Sequence, residues 1–351
     1  MKVFFGGFLT SPFVDFDLDG RGLAHVLAEE ALDKSNLSES DVDEALFFGL
    51  TPEEAAWAFP YRMPAFAIGV SPMEVVHQFI SAVELLRAGR AERVLLVGVR
   101  SNAPAQGDRR ARALLIEAKA MNLTRARLDE LVLQSLRRYV EFTSRVEFLE
   151  SLQPFYLPRS GWRLAAEDHL PFAQVTAEQM SLQAALSTEV WDFLTAFHFA
   201  PPARGGCAAF LMNEEAVARC AVPNLVEVGD LRFLSVHSRG EEVGLFPAAS
   251  LCVPGGPVDA VFASASTAVE AAAFQLRFRP EEREGAAFPA PAGDPVNPRG
   301  SELAYGTAAG CGFLRRAGFL AAHLTGEGKS RGLILENFSS AAGAQVEFLR
   351  P

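Results

Sequence analysis

The chain has 351 residues, with 32 Lys and Arg against 43 Asp and Glu, a formal charge of −11. That acidic balance argues against a chain built mainly to hold nucleic acid, which needs a basic surplus to displace counterions from phosphates. Hydrophobic residues at 49% and charged residues at 21% exclude wholesale disorder, and the length fits two or three domains or one large duplicated unit.

Met1–Gly7 reads as a short strand, not as the charged n-region and long apolar h-region of a signal peptide. Gly22–Ser35 has helical spacing, with Leu23, Val26, Leu27 and Ala31 on one face. Asp41–Gly49 is Val-Asp followed by an apolar run, a strand entered from an acidic turn. Ala65–Val70 predicts a buried strand. Ser71-Pro72-Met73-Glu74 reads as a capping box with Pro at the first helical position. Met73–Ala88 then carries apolar residues at 75, 76, 79, 80, 83 and 86, a helical period. Ala88-Gly89-Arg90 is a stop signal, and Arg93–Gly98 is the next strand.

Residues 105–190 break the pattern. They are helical, rich in Arg and Glu, interrupted by Pro154, Pro158 and Pro171, and read as an insertion over the core. The earlier pattern then returns. Pro257–Ser264 echoes Asp41–Gly49, and Gly332–Asn337, after Gly326-Glu327-Gly328-Lys329, echoes Arg93–Gly98. Ala286–Pro298 is a Pro/Ala/Gly loop. Apolar strands alternating with helices in both halves imply sheets covered on both faces.

Four Cys (207, 220, 252, 311) and six His (25, 77, 169, 198, 237, 323) show no CxxC or HxxxH spacing, so no metal site is expected. Unclustered Cys suit a reducing compartment. The longest apolar runs, such as Val94–Val99, are too short to cross a bilayer. The expectation is a soluble cytoplasmic protein.

Thr10-Ser11-Pro12-Phe13, Val42-Asp43-Glu44, Met63-Pro64-Ala65-Phe66-Ala67-Ile68 and Ala88–Val94 resemble the thiolase family in order and spacing. So do Ser101-Asn102-Ala103-Pro104, Val175-Thr176-Ala177-Glu178, Gly206–Met212, Val258-Asp259 and Asn297-Pro298-Arg299-Gly300. The resemblance spans nearly the whole chain. It implies an α/β, five-layer αβαβα fold of two similar halves: 1–104 plus 193–222, and 223–351, with a shortened helical loop domain at 105–192 inserted in the first.

The family joins or cleaves acyl units on coenzyme A. It uses a Cys nucleophile at a buried helix N-terminus, a Gly-His-Pro histidine, a second Cys near the C-terminus and an Asn-Glu-Ala-Phe asparagine. The equivalent positions here are Pro72, Thr307, Asn337 and Ser264. Proline offers neither thiolate nor N–H, Thr307 is no base near pH 7, and Asn337 cannot shuttle a proton; Ser264 could still hold a water. The resemblance therefore implies a thiolase-like protein without thiolase activity. Its role would be a non-catalytic partner of an acyl-thioester condensing enzyme, in a homodimer or a heterodimer with an intact thiolase or ketosynthase paralogue through Met63–Val70.

Two alternatives stand beside this. One is an enzyme of altered chemistry, an acyltransferase or retro-aldol lyase using Cys311, Tyr305 or Glu302. The other is an acyl-ligand binding module, with a coenzyme A thioester held near Phe172, His198 and Ala200.

Overall fold

Successive residues along the central strands belong to two different cores, and this period of two sets the layers. The computed structural model describes residues 1–11, 20–51, 53–55, 65–68, 72–100, 108–143, 189–200, 205–235, 258–278, 296–307, 310–339 and 342–351. In chain order it contains β1 (Val3–Thr10), α1 (Gly20–Lys34), β2 (Glu44–Phe48), β3 (Ala65–Ile68), α2 (Pro72–Arg87), β4 (Arg93–Arg100), α3 (Asp108–Ala120) and α4 (Arg125–Thr143). There follow β5 (Glu189–Trp191), β6 (Leu194–Thr195), a 3-10 turn (Ala196–His198), β7 (Gly205–Asn213), α5 (Glu214–Val217), β8 (Val226–Ser235) and β9 (Ala260–Ala263). The last elements are α6 (Ala268–Phe278), α7 (Glu302–Tyr305), α8 (Gly312–Gly326), β10 (Arg331–Ser339) and β11 (Ala342–Leu349).

Ala45 and Phe47 of β2 join the core beneath α1, whereas Leu46 and Phe48 join the core with α2 and α8. Leu95 and Val97 of β4 part from Val94 and Leu96 in the same way, and Ala208, Phe210 and Met212 of β7 from Cys207, Ala209 and Leu211. Burial on both faces explains why these strands read as unbroken apolar runs. Helices α2 and α8 touch each other and strands of both halves, so they form a helical layer at the centre.

Nine strands make one mixed sheet in the order β3-β2-β4-β7-β1-β8-β11-β10-β9. The order is mirrored about its centre. Outward from β1 lie the fifth, fourth, second and third strands of the first half. Outward from β8 lie the fifth (β11), the fourth (β10) and the second (β9) of the second half. The place of a third strand there is marked by Val296, which makes a parallel bridge to Val261. β1 and β8 join the halves through the antiparallel pairs Phe4↔Glu227 and Phe5↔Val226.

The duplication reaches the turns. Gly89 (φ 66°) and Gly328 (φ 65°) both take the left-handed conformation just beyond α2 and α8. The next N–H in each case returns to the helix: Arg90 N to Leu85 O at 3.0 Å, and Lys329 N to Leu324 O at 2.9 Å. A side chain at either glycine would be strained, which is why this stop was readable in the sequence.

The expected repeat needs one correction. The sequence echo aligns Arg93 with Gly332. In the structure Asp43 N donates to Arg93 O (3.0 Å) and Asp259 N donates to Arg331 O (2.9 Å), so Arg93 corresponds to Arg331. A one-residue slip in a strand exchanges its two faces, and a run apolar on both faces gives no signal against it. Helices α1 and α2 and strand β3 fall where the periodicity places them. Within the expected insertion, α3, α4 and β5 are described, and the β5–β6 hairpin crosses its expected end at 192; Phe172, the predicted cap residue Ser71 and most of the Ala286–Pro298 loop lie outside the described residues. No described helix is long and apolar enough to cross a membrane.

Candidate functional site

Strands β9 and β10 are parallel neighbours, with Ala263 opposite Leu335, so Ser264, the first residue beyond β9, stands beside the stretch of β10 that runs on to Ser339. This brings Ser264 and Asn337 together. Asn337 N donates to Ser264 Oγ at 3.2 Å, and Ser264 Oγ donates to Glu270 Oε1 at 3.2 Å. Asn337 Nδ2 donates to the same carboxylate oxygen at 3.1 Å. Ser266 completes the group, its N (3.0 Å) and Oγ (3.2 Å) both donating to Glu270 Oε2. Glu270 is 4% exposed and thus takes hydrogen bonds from three residues.

Glu270 was not singled out from the sequence. A local signal existed: Thr267-x-x-Glu270 is a capping-box pattern, and Glu270 N does donate to Thr267 Oγ1 at 3.1 Å. Its carboxylate, however, reaches back to Ser266 N and across to Asn337. The second contact depends on strand pairing and has no local signature.

Beneath this group lies an ion network. Arg316 pairs with both Glu302 and Glu336, its Nε donating to Glu336 Oε1 at 2.7 Å. Glu302 Oε2 also accepts from Ala265 N at 2.9 Å, which ties α7 to the exit of β9. All three charged side chains are buried. Burial pushes the Glu336 carboxyl above the ordinary glutamate value, against the opposing pull of Arg316. Of the expected candidates, Glu302 is therefore engaged with Arg316 and the backbone and does not pair with Tyr305.

Tyr305 lies in a second buried group. The Arg315 guanidinium carbon stands 4.5 Å from the Tyr305 ring centroid, with the rings of Tyr139 at 5.3 Å and Phe319 at 5.7 Å. The Tyr305 hydroxyl has no hydrogen-bond partner among the described residues. Burial raises both phenols, Tyr139 to about 12, and lowers Arg315. Cys311 is the N-cap residue of α8 and is fully buried beside Cys207 of β7. The structure thus brings Cys311 and Tyr305 to a common cation, Arg315.

His198 is buried between two partners. Thr195 N donates to its Nδ1 at 3.0 Å, which leaves the proton on Nε2, 2.8 Å from Asp129 Oδ1 of α4. Burial lowers its pKa, with Asp129 opposing. Ala200 N donates to Ser266 O at 2.8 Å, and Phe199 bridges Thr267, so this segment borders the Ser264 group. Thr307 is half-buried just beyond α7. Helix α2 begins at Pro72, whose side chain lies outside the described residues. Among the described residues no cluster of three or more His, Cys, Asp or Glu could hold a metal ion.

No protein-family profile and no curated protein matches this sequence. Solved structures do match over its whole length. Acetyl-CoA acetyltransferase from Syntrophomonas wolfei superposes with a TM-score of 0.74 at 13% identity, covering 100% of this chain and 99% of that one. The chain has the thiolase fold. Human mitochondrial 3-ketoacyl-CoA thiolase in complex with CoA gives 0.73 at 15% identity, with 100% and 98% covered. Acat5 thiolase from Ascaris suum in complex with coenzyme A gives 0.72 at 16% identity, with both chains fully covered. At such identities the likeness establishes the thiolase fold alone.

Proposed function

We propose that this thiolase-fold chain is a non-catalytic partner subunit of an acyl-thioester condensing enzyme. One observation carries the reading: the hydrogen-bond closure of Ser264, Asn337 and Glu270. Ser264 has one proton, directed at Glu270, and its oxygen already accepts from Asn337 N. The side chains at two of the positions where the resemblance implies catalysis thus share one acceptor, Glu270 Oε1.

A partner would add to the edge of the sheet. Strand β3 is terminal in the strand order and, among the described strands, pairs only with β2. Its sequence, Ala-Phe-Ala-Ile, is short and apolar and carries none of the charge or proline that usually blunts an edge. Met73, in the first turn of α2, is half exposed. These features support docking through residues 63–70 and the start of α2. Coenzyme A is the ligand to test, because two of the matching structures hold it.

The experiment is thiolysis of a 3-ketoacyl-CoA by the purified chain, followed by mixing with an intact thiolase or ketosynthase from the same genome. The expected results are no turnover alone and a stable mixed dimer. Robust acyl transfer by the chain alone overturns the reading. In that event the convergence of Cys311 and Tyr305 on Arg315 favours the altered-chemistry alternative, and loss of turnover in Cys311→Ala or Tyr305→Phe would support it.

A further inference from the structure

Gly98 explains how Cys311 fits against the sheet. A Cβ built at Gly98 would lie 2.5 Å from Gly310 O and 3.0 Å from both Cα and Cβ of Cys311. The missing side chain is therefore the notch that receives the Cys311 backbone and side chain. Gly98 of β4 is the antiparallel partner of Cys207 in β7. Residues directly opposite in such a pair point to the same face, with Cβ positions about 5 Å apart. The two cysteines thus meet over one notch. Cys207 Sγ lies 3.6 Å from Cys311 O, where its thiol donates, and Cys311 Sγ lies 3.8 Å from Gly205 O. Neither is in a disulfide.

We infer that Cys207 and Cys311 form an oxidisable dithiol, a modification site that accepts a small-molecule disulfide as co-reactant and closes a cross-link between β7 and the N-terminus of α8. The Cys311 thiolate attacks one sulfur of the small disulfide, forms a mixed disulfide and releases one thiolate. The Cys207 thiolate then attacks Cys311 Sγ, forming the internal S–S bond and releasing the second thiolate. The two cysteine protons pass to the two leaving groups; both cysteines are oxidised and the small disulfide is reduced to two thiols.

Two physical features bear on the rate. Arg315 places a cation near both sulfurs, which favours the attacking thiolates. Burial acts more strongly in the other direction and raises the Cys207 thiol well above its ordinary value. Both sulfurs are fully buried, so exchange requires α8 to lift from β7, and its rate reports that opening. Once formed, the bond joins residues 104 apart in sequence and constrains the unfolded chain accordingly.

The test is incubation of the native chain with oxidised glutathione at pH 8, an acid quench, alkylation under denaturing conditions and peptide mass analysis. The expected result is loss of both thiols, a cross-linked peptide containing Cys207 and Cys311, and a raised thermal midpoint, all reversed by dithiothreitol. Retention of both thiols after a day's oxidation, repeated in urea just below the unfolding transition, overturns the inference. A glutathione adduct that persists on either cysteine of the wild-type chain also overturns it. Cys207→Ala is the control, expected to stop at the mixed disulfide on Cys311. The wild-type readout decides the matter even if that variant does not fold.

Discussion

Asp43 and Asp259 perform the same task in the two halves. Asp43 Oδ2 accepts from Glu92 N (2.7 Å) and Arg93 N (2.9 Å), at the start of β4. Asp259 Oδ2 accepts from Ser330 N (2.9 Å) and Arg331 N (3.0 Å), at the start of β10. Each carboxylate thus fixes the register of the parallel strand beside it, in the same geometry, 216 residues apart.

Replacing either aspartate with Ala is expected to cost about 1 kcal/mol, the net worth of such hydrogen bonds at a partly solvated position. The sites share no partner, so the double variant should cost the sum. Urea denaturation of the three variants checks this. Unequal single effects, or marked non-additivity, would count against equivalent roles.

Glu270→Ala removes the common acceptor of Ser264, Ser266 and Asn337. Loss of an acceptor shared by several part-buried donors makes this costly, about 1–3 kcal/mol, whereas Glu270→Gln should cost less. The same closure predicts that Asn337→Cys and Thr307→His, singly, yield no thiolysis of a 3-ketoacyl-CoA. Denaturation midpoints test the first expectation and a thioester assay the second.

Arg316→Met leaves Glu302 and Glu336 buried without their cation, a change expected to cost about 3–5 kcal/mol near neutral pH. Glu336 already binds its proton more tightly in the folded chain than in the unfolded one. Its contribution is therefore most favourable at low pH and is lost as pH rises through the folded value. Without Arg316 that value rises further, so the variant should be less destabilised at pH 5.5 than at pH 8. Equal loss at both would refute the assignment.

His323 has the opposite sign. Burial, helped by Arg299, lowers its pKa to about 4. The unfolded chain, titrating near 6.5, binds the proton first, so the stability linked to this residue is complete above about pH 6.5 and declines as pH falls. His323→Leu should therefore lose less stability than wild type between pH 7.5 and pH 5. Parallel slopes in thermal melts would rule this out. His198, lowered by burial as well, should leave part of the slope in the variant.

What the sequence disclosed and what it hid follow from the range of each interaction. The helix stops at Gly89 and Gly328, the strands after Asp43 and Asp259 and the start of α2 at Pro72 are local matters of backbone conformation and periodicity. The four positions Pro72, Ser264, Thr307 and Asn337 were located by resemblance, and the structure places two of them in contact. Glu270 was missed because its partner Asn337 lies 67 residues away, and Arg316 because its pairing with Glu302 and Glu336 depends on three separate elements. The repeat aligns Arg93 with Arg331 and not with Gly332, and the sequence hides that one-residue difference because a strand apolar on both faces reads alike in either alignment.

The mirrored sheet has a practical consequence. Glu227 of β8 is flanked by Phe4 of β1 on one side and Leu349 of β11 on the other. Two strand spacings, about 10 Å, therefore separate residues near the two ends of the chain. A short linker could join them, and new ends could be opened in the connection between Val217 and Val226, where one half passes to the next. Such a circular permutant would carry its second half first while keeping every strand pairing, so the order in which the halves are encoded can be exchanged without altering the sheet they build.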